Sequence, residues 1–133
     1  KSTILVLAAG KNDYFVLNKL NYENVTLSNL DKRMNAELYK PFQWSFQNAE
    51  SLTFEDNKFD FVIIHEGLHH CFSPHKALLE MYRVAKKGVL CIESRDSFLM
   101  RIFLRLNFAY QYEHPAVFQN NFLFLLLVHY SVF

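Results

Sequence analysis

Histidine and glutamate side chains come together in one short stretch of this sequence. His65, Glu66 and His69 follow the H-E-x-x-H pattern, in which two histidines on one helical face bind zinc and the glutamate acts as general base. Glu93 is a candidate third ligand for such an ion. A different chemistry is open to His69 and the adjacent His70, because imidazole is the commonest proton acceptor and donor in catalysis.

The residues around this pattern disfavour the helix that a zinc site would need. The preceding FDFVII run predicts a strand, and Gly67 weakens a helix by about 1 kcal/mol relative to alanine. Pro74 opens a new helix soon afterwards, which leaves little room for another. A zinc hydrolase is therefore the lesser alternative, no metal site is predicted, and packing or loop roles are the default for His69 and His70.

Composition narrows the class of protein. The chain has 133 residues, of which 51% are hydrophobic and 20% charged, as expected for one folded domain. A net charge of +1 gives no clear nucleic-acid signal. Cys71 and Cys91 lie in apolar runs, which predicts buried free thiols in a reducing, cytoplasmic compartment. The run 122–128 is shorter than the roughly 20 residues that a transmembrane segment needs, so none is predicted.

Apolar and β-branched runs alternate with helical patterns along the chain. Strands are predicted at 3–9, 24–30, 42–46, 59–64 and 89–92. Helices are predicted at 13–20, 31–39, 74–87 and 97–106, with Asp31 capping the second and Gly88 ending the third. Asp60, in the fourth strand, is expected to be a structural residue bonded to a nearby loop.

This alternation predicts an α/β fold with a doubly wound, mostly parallel sheet in three α/β/α layers. In such sheets ligands bind beyond the carboxyl ends of the strands, near the point where the strand order reverses. The loops that leave the first four strands are therefore the candidate binding loops; they are 8–13, 29–31, 47–51 and 65–71.

The segment from Asn48 to Ser94 carries a recognisable series of motifs. It contains an Asn-Ala pair, a turn with Asp56 and Asn57, a strand, the triplet LHH, a helix opened by Pro74, and E-x-x-R-V-x-K-x-G. In order and spacing this segment resembles the type 11 domain family of class I S-adenosylmethionine-dependent methyltransferases. The resemblance extends over about residues 3–95 and is most specific from Asn48 onward.

The resemblance implies a Rossmann-like methyltransferase core at 1–106, with S-adenosylmethionine as cofactor and a methyl acceptor that stays unknown. It also implies that residues 107–133 form a truncated or abnormal C-terminal extension, and that the last strands of the family's sheet are lacking. An alternative is a degenerate or truncated homologue that no longer catalyses.

The resemblance further implies a set of cofactor-binding residues. Ala8 and Gly10 fall in the loop where the family usually has G-x-G-x-G, and Asn29 falls where an acidic residue accepts hydrogen bonds from the ribose. The remaining implied contacts are Leu30 on the adenine face, Asn48 and Ala49 at the adenine edge, and His65 near the sulfonium.

Two departures from the family pattern concern the glycine loop itself. Ala8 adds one methyl group at the first glycine position. Asn12, at the last one, is expected to adopt the left-handed backbone in place of glycine.

Overall fold

The computed structural model describes residues 1–32 and 35–93, together with Ile102, Arg105 and Leu106. Its five strands form one sheet in the order β3-β2-β1-β4-β5, and every neighbouring pair is parallel. The strands are β1 (Ile4–Leu7), β2 (Val25–Asn29), β3 (Gln43–Phe46), β4 (Phe59–His65) and β5 (Ala85–Ile92). The parallel α/β fold predicted from the alternation of elements is confirmed.

Strand β1 lies at the centre of the sheet and is buried on both faces. Ile4 and Val6 belong to a core that includes Leu17 of helix α1 (Lys11–Lys19). Leu5 and Leu7 belong to the core on the opposite face. There, Met81 and Val84 of helix α2 (Pro74–Val84) pack with no exposed surface. These two cores confirm the three-layer arrangement and explain why β1 is an unbroken apolar run.

Three predicted helix boundaries were wrong. Helix α1 begins at Lys11, because Asp13 accepts a hydrogen bond from Gly10 N–H and caps the first turn. In place of a helix over 31–39 there is a short 3-10 helix, Ala36–Tyr39, with Asn35 as its cap. Helix α2 ends at Val84, so Gly88 lies within β5, opposite Phe61, and ends no helix.

Glu80 and Arg83 of α2 hold the loop that leads into β4. The Arg83 guanidinium donates to the carbonyls of Leu52 (2.9 Å) and Phe54 (2.8 Å) and to Glu80. Glu80 in turn accepts from Leu52 N–H at 2.8 Å. The E-x-x-R motif is therefore a structural fork that joins α2 to the chain after β3.

Asp60 joins the amino ends of three strands. Its carboxylate accepts from Thr3 N–H (2.8 Å) and the Thr3 hydroxyl (3.2 Å) and pairs with Lys87 of β5 at 2.9 Å. These hydrogen bonds and the ammonium charge lower the pKa of Asp60 to about 2. The predicted structural role of Asp60 is confirmed.

The chain divides into two compact units, Lys1–Ser94 and Arg95–Phe133. In the second unit, Leu106 N–H donates to the Ile102 carbonyl at 3.0 Å, a helical hydrogen bond. The rest of the predicted helix at 97–106, and all of 107–133, lie outside the described residues, so the division at residue 106 stays a prediction. In the described part, every helix falls short of the length and apolarity that crossing a membrane requires.

Candidate functional site

The carboxyl edge of the sheet holds the point where the strand order reverses. The chain leaves β1 for β2 and β3 on one side and then returns to β4 on the other side of β1. The strands β1 and β4 are adjacent, and the loops that follow them leave in opposite directions. These loops therefore frame the crevice in which open α/β sheets bind ligands. Ala8 and Gly10 lie in the first of these loops, and His65 ends the strand that leads into the second.

Gly10 stands beside open space. A Cβ built on Gly10 would meet only the Asp13 Oδ2, at 3.9 Å, within ordinary contact distance. Its backbone is extended, with φ −126° and ψ −169°, so the fold itself does not require glycine there. A bare backbone beside a helix N-terminus is the kind of surface that a ligand can approach closely.

The left-handed residue of this loop is Ala8, with φ 53°, and not Asn12. Asn12 lies within helix α1, so the expectation that it replaces the last glycine through a left-handed backbone was wrong. Ala8 carries the backbone conformation for which glycine is suited, at a cost of about 1–2 kcal/mol for an L-residue.

The loop after β4 packs directly on the loop after β1. A Cβ on Gly67 would lie 2.6 Å from the Ala8 Cβ and 2.9 Å from Ile64, so glycine is required at this approach. On the same side, His65 Nδ1 lies 3.8 Å from Asp13 Oδ1, and the His65 side chain is 45% exposed. His65 is therefore placed beside the helix cap that also holds Gly10.

Asn29, at the end of β2, ties three loops together. Its amide donates to the Ala9 carbonyl at 3.0 Å, which an aspartate could not do, and its side-chain oxygen accepts from Asp31 N–H. Its backbone carbonyl accepts from Gln47 N–H at 3.2 Å. The next residue, Leu30, is half exposed at this edge.

The loop after β3 is held in a similar way. The exposed Asn48 accepts from Glu50 N–H at 3.0 Å, and Ala49 packs against the α2 core. Glu50 accepts from Phe72 N–H at 2.7 Å, which joins this loop to the one after β4. The loops that leave the first four strands are thus linked into one rim around the carboxyl edge.

His69 and Glu93 form a pair at the same edge. His69 lies in a second 3-10 helix, Leu68–His70, and its Nδ1 is 2.6 Å from Glu93 Oε2. Glu93 Oε1 accepts from the backbone N–H groups of Gly67 (2.9 Å) and Leu68 (2.7 Å). Burial raises the pKa of Glu93, but the hydrogen bonds from His69 and from these two amides outweigh burial and lower it.

The structure contradicts the zinc-hydrolase hypothesis. His65 ends a strand, Glu66 has a left-handed backbone with φ 50°, and His69 lies in a separate 3-10 helix. The single helical face that H-E-x-x-H requires is therefore absent from this described segment. Donor atoms of Glu66, His69 and Glu93 lie within 4.8 Å of one another, yet both oxygens of Glu93 already accept hydrogen bonds.

The two cysteines are free, as predicted, but they are not buried. Cys91 is exposed on β5, and Cys71 is half-buried after the second 3-10 helix. Partial burial and the nearby carboxylates of Glu50 and Glu93 raise the pKa of Cys71 to about 11. The Cys71 thiol therefore stays protonated near neutral pH and is a poor nucleophile.

Sequence reasoning missed two side chains of this edge. Asp13 caps Gly10 and faces His65, and its signal was the helix-capping position three residues after the glycine. Glu93 was considered only as a zinc ligand, whereas it orients His69 and the backbone that follows Gly67. A partner 24 residues away carries no local signal in one sequence.

A parallel doubly wound sheet with a glycine turn before α1 and polar loops along one edge defines a Rossmann-like class of α/β protein. The comparisons with known proteins make the class specific. The family model described as "Methyltransferase domain" matches residues 5–92, so the chain belongs to the methyltransferase domain family.

Individual relatives agree with the family. A ubiquinone/menaquinone biosynthesis C-methyltransferase from Hydrogenovibrio crunogenus is 38% identical over 79 residues, which are 59% of this chain and 31% of that protein. A demethylmenaquinone methyltransferase from Anoxybacillus flavithermus is 46% identical over 65 residues, or 47% of this chain and 27% of that protein. The chain thus spans about a third of the length of these relatives.

A solved structure of a methyltransferase is also similar to this chain. A SAM-dependent methyltransferase from Thermotoga maritima matches with a TM-score of 0.60 and 26% identity, over 79% of this chain and 51% of that one. The family and this neighbour imply S-adenosylmethionine as the cosubstrate.

Proposed function

We propose that this protein binds S-adenosylmethionine at the carboxyl edge of its sheet and transfers the methyl group to an acceptor nucleophile. The observation that carries this proposal is the open space beside Gly10, in a loop that contacts the loops after β2 and β4. The residues present suit the cofactor, because a bare backbone is offered where a Cβ would otherwise stand.

Each loop has a role in this proposal. Ala8 and Gly10 approach the methionine part of the cofactor, and Asn29 presents its side-chain amide oxygen toward the ribose. Leu30 covers the adenine face, for which its half-exposed side chain is available. The adenine edge is met by Asn48 and Ala49, and His65 lies toward the sulfonium, beside Asp13. S-adenosylmethionine supplies a methyl group already activated by a positive sulfur, so the protein's main task is alignment.

The names of the relatives guide our choice of acceptor. Because one is named a ubiquinone/menaquinone biosynthesis C-methyltransferase and the other a demethylmenaquinone methyltransferase, we propose a ring carbon of a reduced quinone as the acceptor class. A hydroquinone ring becomes a carbon nucleophile when one hydroxyl loses its proton, whereas the oxidised quinone is an electrophile. A suitable probe is 1,4-naphthoquinol.

A specific observation favours a second candidate, a homologue that no longer catalyses. Both side-chain groups of Asn29 are already engaged, with Ala9 and Asp31, so its hold on a ribose is weaker than that of a free carboxylate. Failure to bind the cofactor would favour this second candidate.

The first test compares Gly10→Ser with Gly88→Ala by isothermal titration with S-adenosylmethionine. Serine is a favourable N-cap residue, so Gly10→Ser should fold normally while its side chain fills the ligand space. We expect at least about a tenfold loss of affinity, equivalent to about 1.4 kcal/mol. Gly88→Ala, whose new Cβ would lie 3.7 Å from Phe61, should bind like the wild type.

Either of two results would count against methyl transfer. A folded wild-type protein that gives no heat with S-adenosylmethionine or S-adenosylhomocysteine would favour the non-catalytic homologue. Unchanged affinity in Gly10→Ser would place the cofactor elsewhere.

We also propose a cytoplasmic location for the protein. Two free thiols, one of them exposed, are compatible with a reducing compartment. Thiol labelling of the protein in intact cells and after lysis tests this, because oxidation of Cys91 in the cell would argue against it.

A further inference from the structure

We propose that His69 is the base that takes the proton of the methyl acceptor, and that Glu93 is the residue that positions it. This inference rests on the proposed methyl transfer and goes beyond it, because it assigns the proton's destination. It follows from four observations on the His69–Glu93 pair.

The first observation is that Glu93 is rigidly held. Its Oε1 accepts hydrogen bonds from two consecutive backbone N–H groups, those of Gly67 and Leu68, at 2.9 and 2.7 Å. Gly67 is itself fixed against Ala8 and Ile64 by the absence of a side chain. The second oxygen, Oε2, is thereby directed at His69, at a distance of 2.6 Å.

The second observation fixes the tautomer of His69. The hydrogen bonds that Glu93 receives stabilise it as a carboxylate, which can only accept hydrogen bonds. The proton between the two groups must therefore reside on His69 Nδ1. In the neutral imidazole, Nε2 then carries the lone pair and is the basic atom. A carboxylate that orients a histidine in this way is the arrangement used where imidazole acts as a general base.

The third observation is location. The second 3-10 helix begins one residue after Gly67, which lies against the loop that contains Ala8. His69 is thus carried on the loop that frames the proposed cofactor crevice. Its side chain is 45% exposed, so the ring is accessible to an acceptor.

The fourth observation separates His69 from its neighbour. The rings of His69 and His70 are 4.0 Å apart, but the ring bonded to Glu93 is that of His69. Glu66 also comes close to the pair, with a donor atom within 4.8 Å.

The step balances as follows. A hydroxyl of the reduced quinone gives its proton to His69 Nε2, and the electron pair left on oxygen forms a carbonyl bond. The electron pair of the adjacent ring double bond then forms the new bond between a ring carbon and the methyl carbon. The bond between that carbon and sulfur breaks, and its electron pair stays on sulfur. The methylated ring carbon then loses its hydrogen as a proton and the carbonyl oxygen regains one, which restores the hydroquinone. The other products are S-adenosylhomocysteine and a protonated His69, which returns its proton to water.

Two substitutions separate proton transfer from structure. In His69→Asn, the amide can still donate to Glu93 Oε2, but the basic nitrogen is gone. In Glu93→Gln, the amide oxygen can still accept from Gly67 and Leu68, while its NH₂ group forces a hydrogen-bond acceptor onto Nδ1 and moves the proton to Nε2. His75→Gln, at an exposed position on helix α2, is the matched control.

The measurements are the ring ¹⁵N NMR spectrum of the full chain, its affinity for S-adenosylmethionine, and methylation of 1,4-naphthoquinol. We expect the Nδ1–H tautomer at His69 in the wild type and the Nε2–H tautomer in Glu93→Gln. His69→Asn and Glu93→Gln should each lower kcat by about 10²–10⁴-fold, the usual contribution of a general base, with cofactor affinity unchanged. The control His75→Gln should stay within a few-fold of the wild type.

Several results would overturn the proposal. One is an Nε2–H tautomer at His69 in the wild type, which needs no acceptor to be seen. Others are full turnover in His69→Asn, or turnover that EDTA abolishes and Mn²⁺ restores, which would assign the cluster to a metal ion. Failure of the proposed function looks different, because the wild type would then show the expected tautomer without binding S-adenosylmethionine.

Discussion

At the scale of single residues, the contact between Ala8 and Gly67 determines how the site is assembled. Ala8 has a left-handed backbone, and its methyl group occupies the position that a Cβ on Gly67 would need. The loops after β1 and β4 can approach so closely only because position 67 has no side chain.

A double-mutant cycle tests this contact. Gly67→Ala should destabilise the fold by about 1–3 kcal/mol, the usual cost of overpacking. In an Ala8→Gly background the same substitution should cost about 1 kcal/mol less, because the nearest clash is gone and only Ile64 remains. Urea unfolding of the four proteins measures the coupling, and additivity within about 0.5 kcal/mol would show that the two residues do not compete for space.

The positions of residues at this edge were predictable only where the chain carries a local signal. Gly10 and His65 were identified from motif position, and both lie at the carboxyl edge of the sheet. The left-handed backbone of Ala8 was not predicted, because the sequence does not show that this alanine adopts a strained conformation.

At the scale of elements, strands β1 and β2 were predicted well because parallel strands buried on both faces read as apolar runs. The prediction of a helix over 31–39 was wrong, because a cap residue and a polar composition do not supply an apolar face to bury. The predicted end of helix α2 was wrong, because Gly88 resembles a helix end in the sequence, whereas β5 pairs with β4 from Ala85 onward.

Asp60 should make the stability of the folded sheet depend on pH. Its pKa lies near 2, below the ordinary value of 3.8, so the folded state binds its proton less readily than the unfolded chain. The stabilisation by Asp60 is therefore complete above the ordinary value and is lost as the pH falls toward 2. Asp60→Asn should lower the midpoint of thermal unfolding near neutral pH, and the gap to the wild type should shrink on acidification.

Thermal melts over this pH range provide the measurement, with Glu55→Gln, an exposed carboxylate, as the control. A gap between wild type and Asp60→Asn that is the same at every pH would mean that the link to Thr3 and Lys87 does not depend on ionisation.

At the scale of the whole molecule, topology indicated the candidate site more clearly than any single motif. The alternation of elements predicted a binding edge at the carboxyl ends of the strands, and the linked loops of the structure follow that edge. The pairing of His69 with Glu93 could not be predicted, because it depends on how the end of β5 lies beside the loop after β4.

The most direct test of the proposed site is an amide NMR titration of the ¹⁵N-labelled chain with S-adenosylhomocysteine. We predict that the largest shifts fall in four loops of the carboxyl edge, at 8–13, 29–31, 48–50 and 65–69, with little change at Asp60 and the amino ends of the strands. Saturable shifts centred on those amino ends, or no shifts in a folded protein, would contradict a cofactor site beside Gly10.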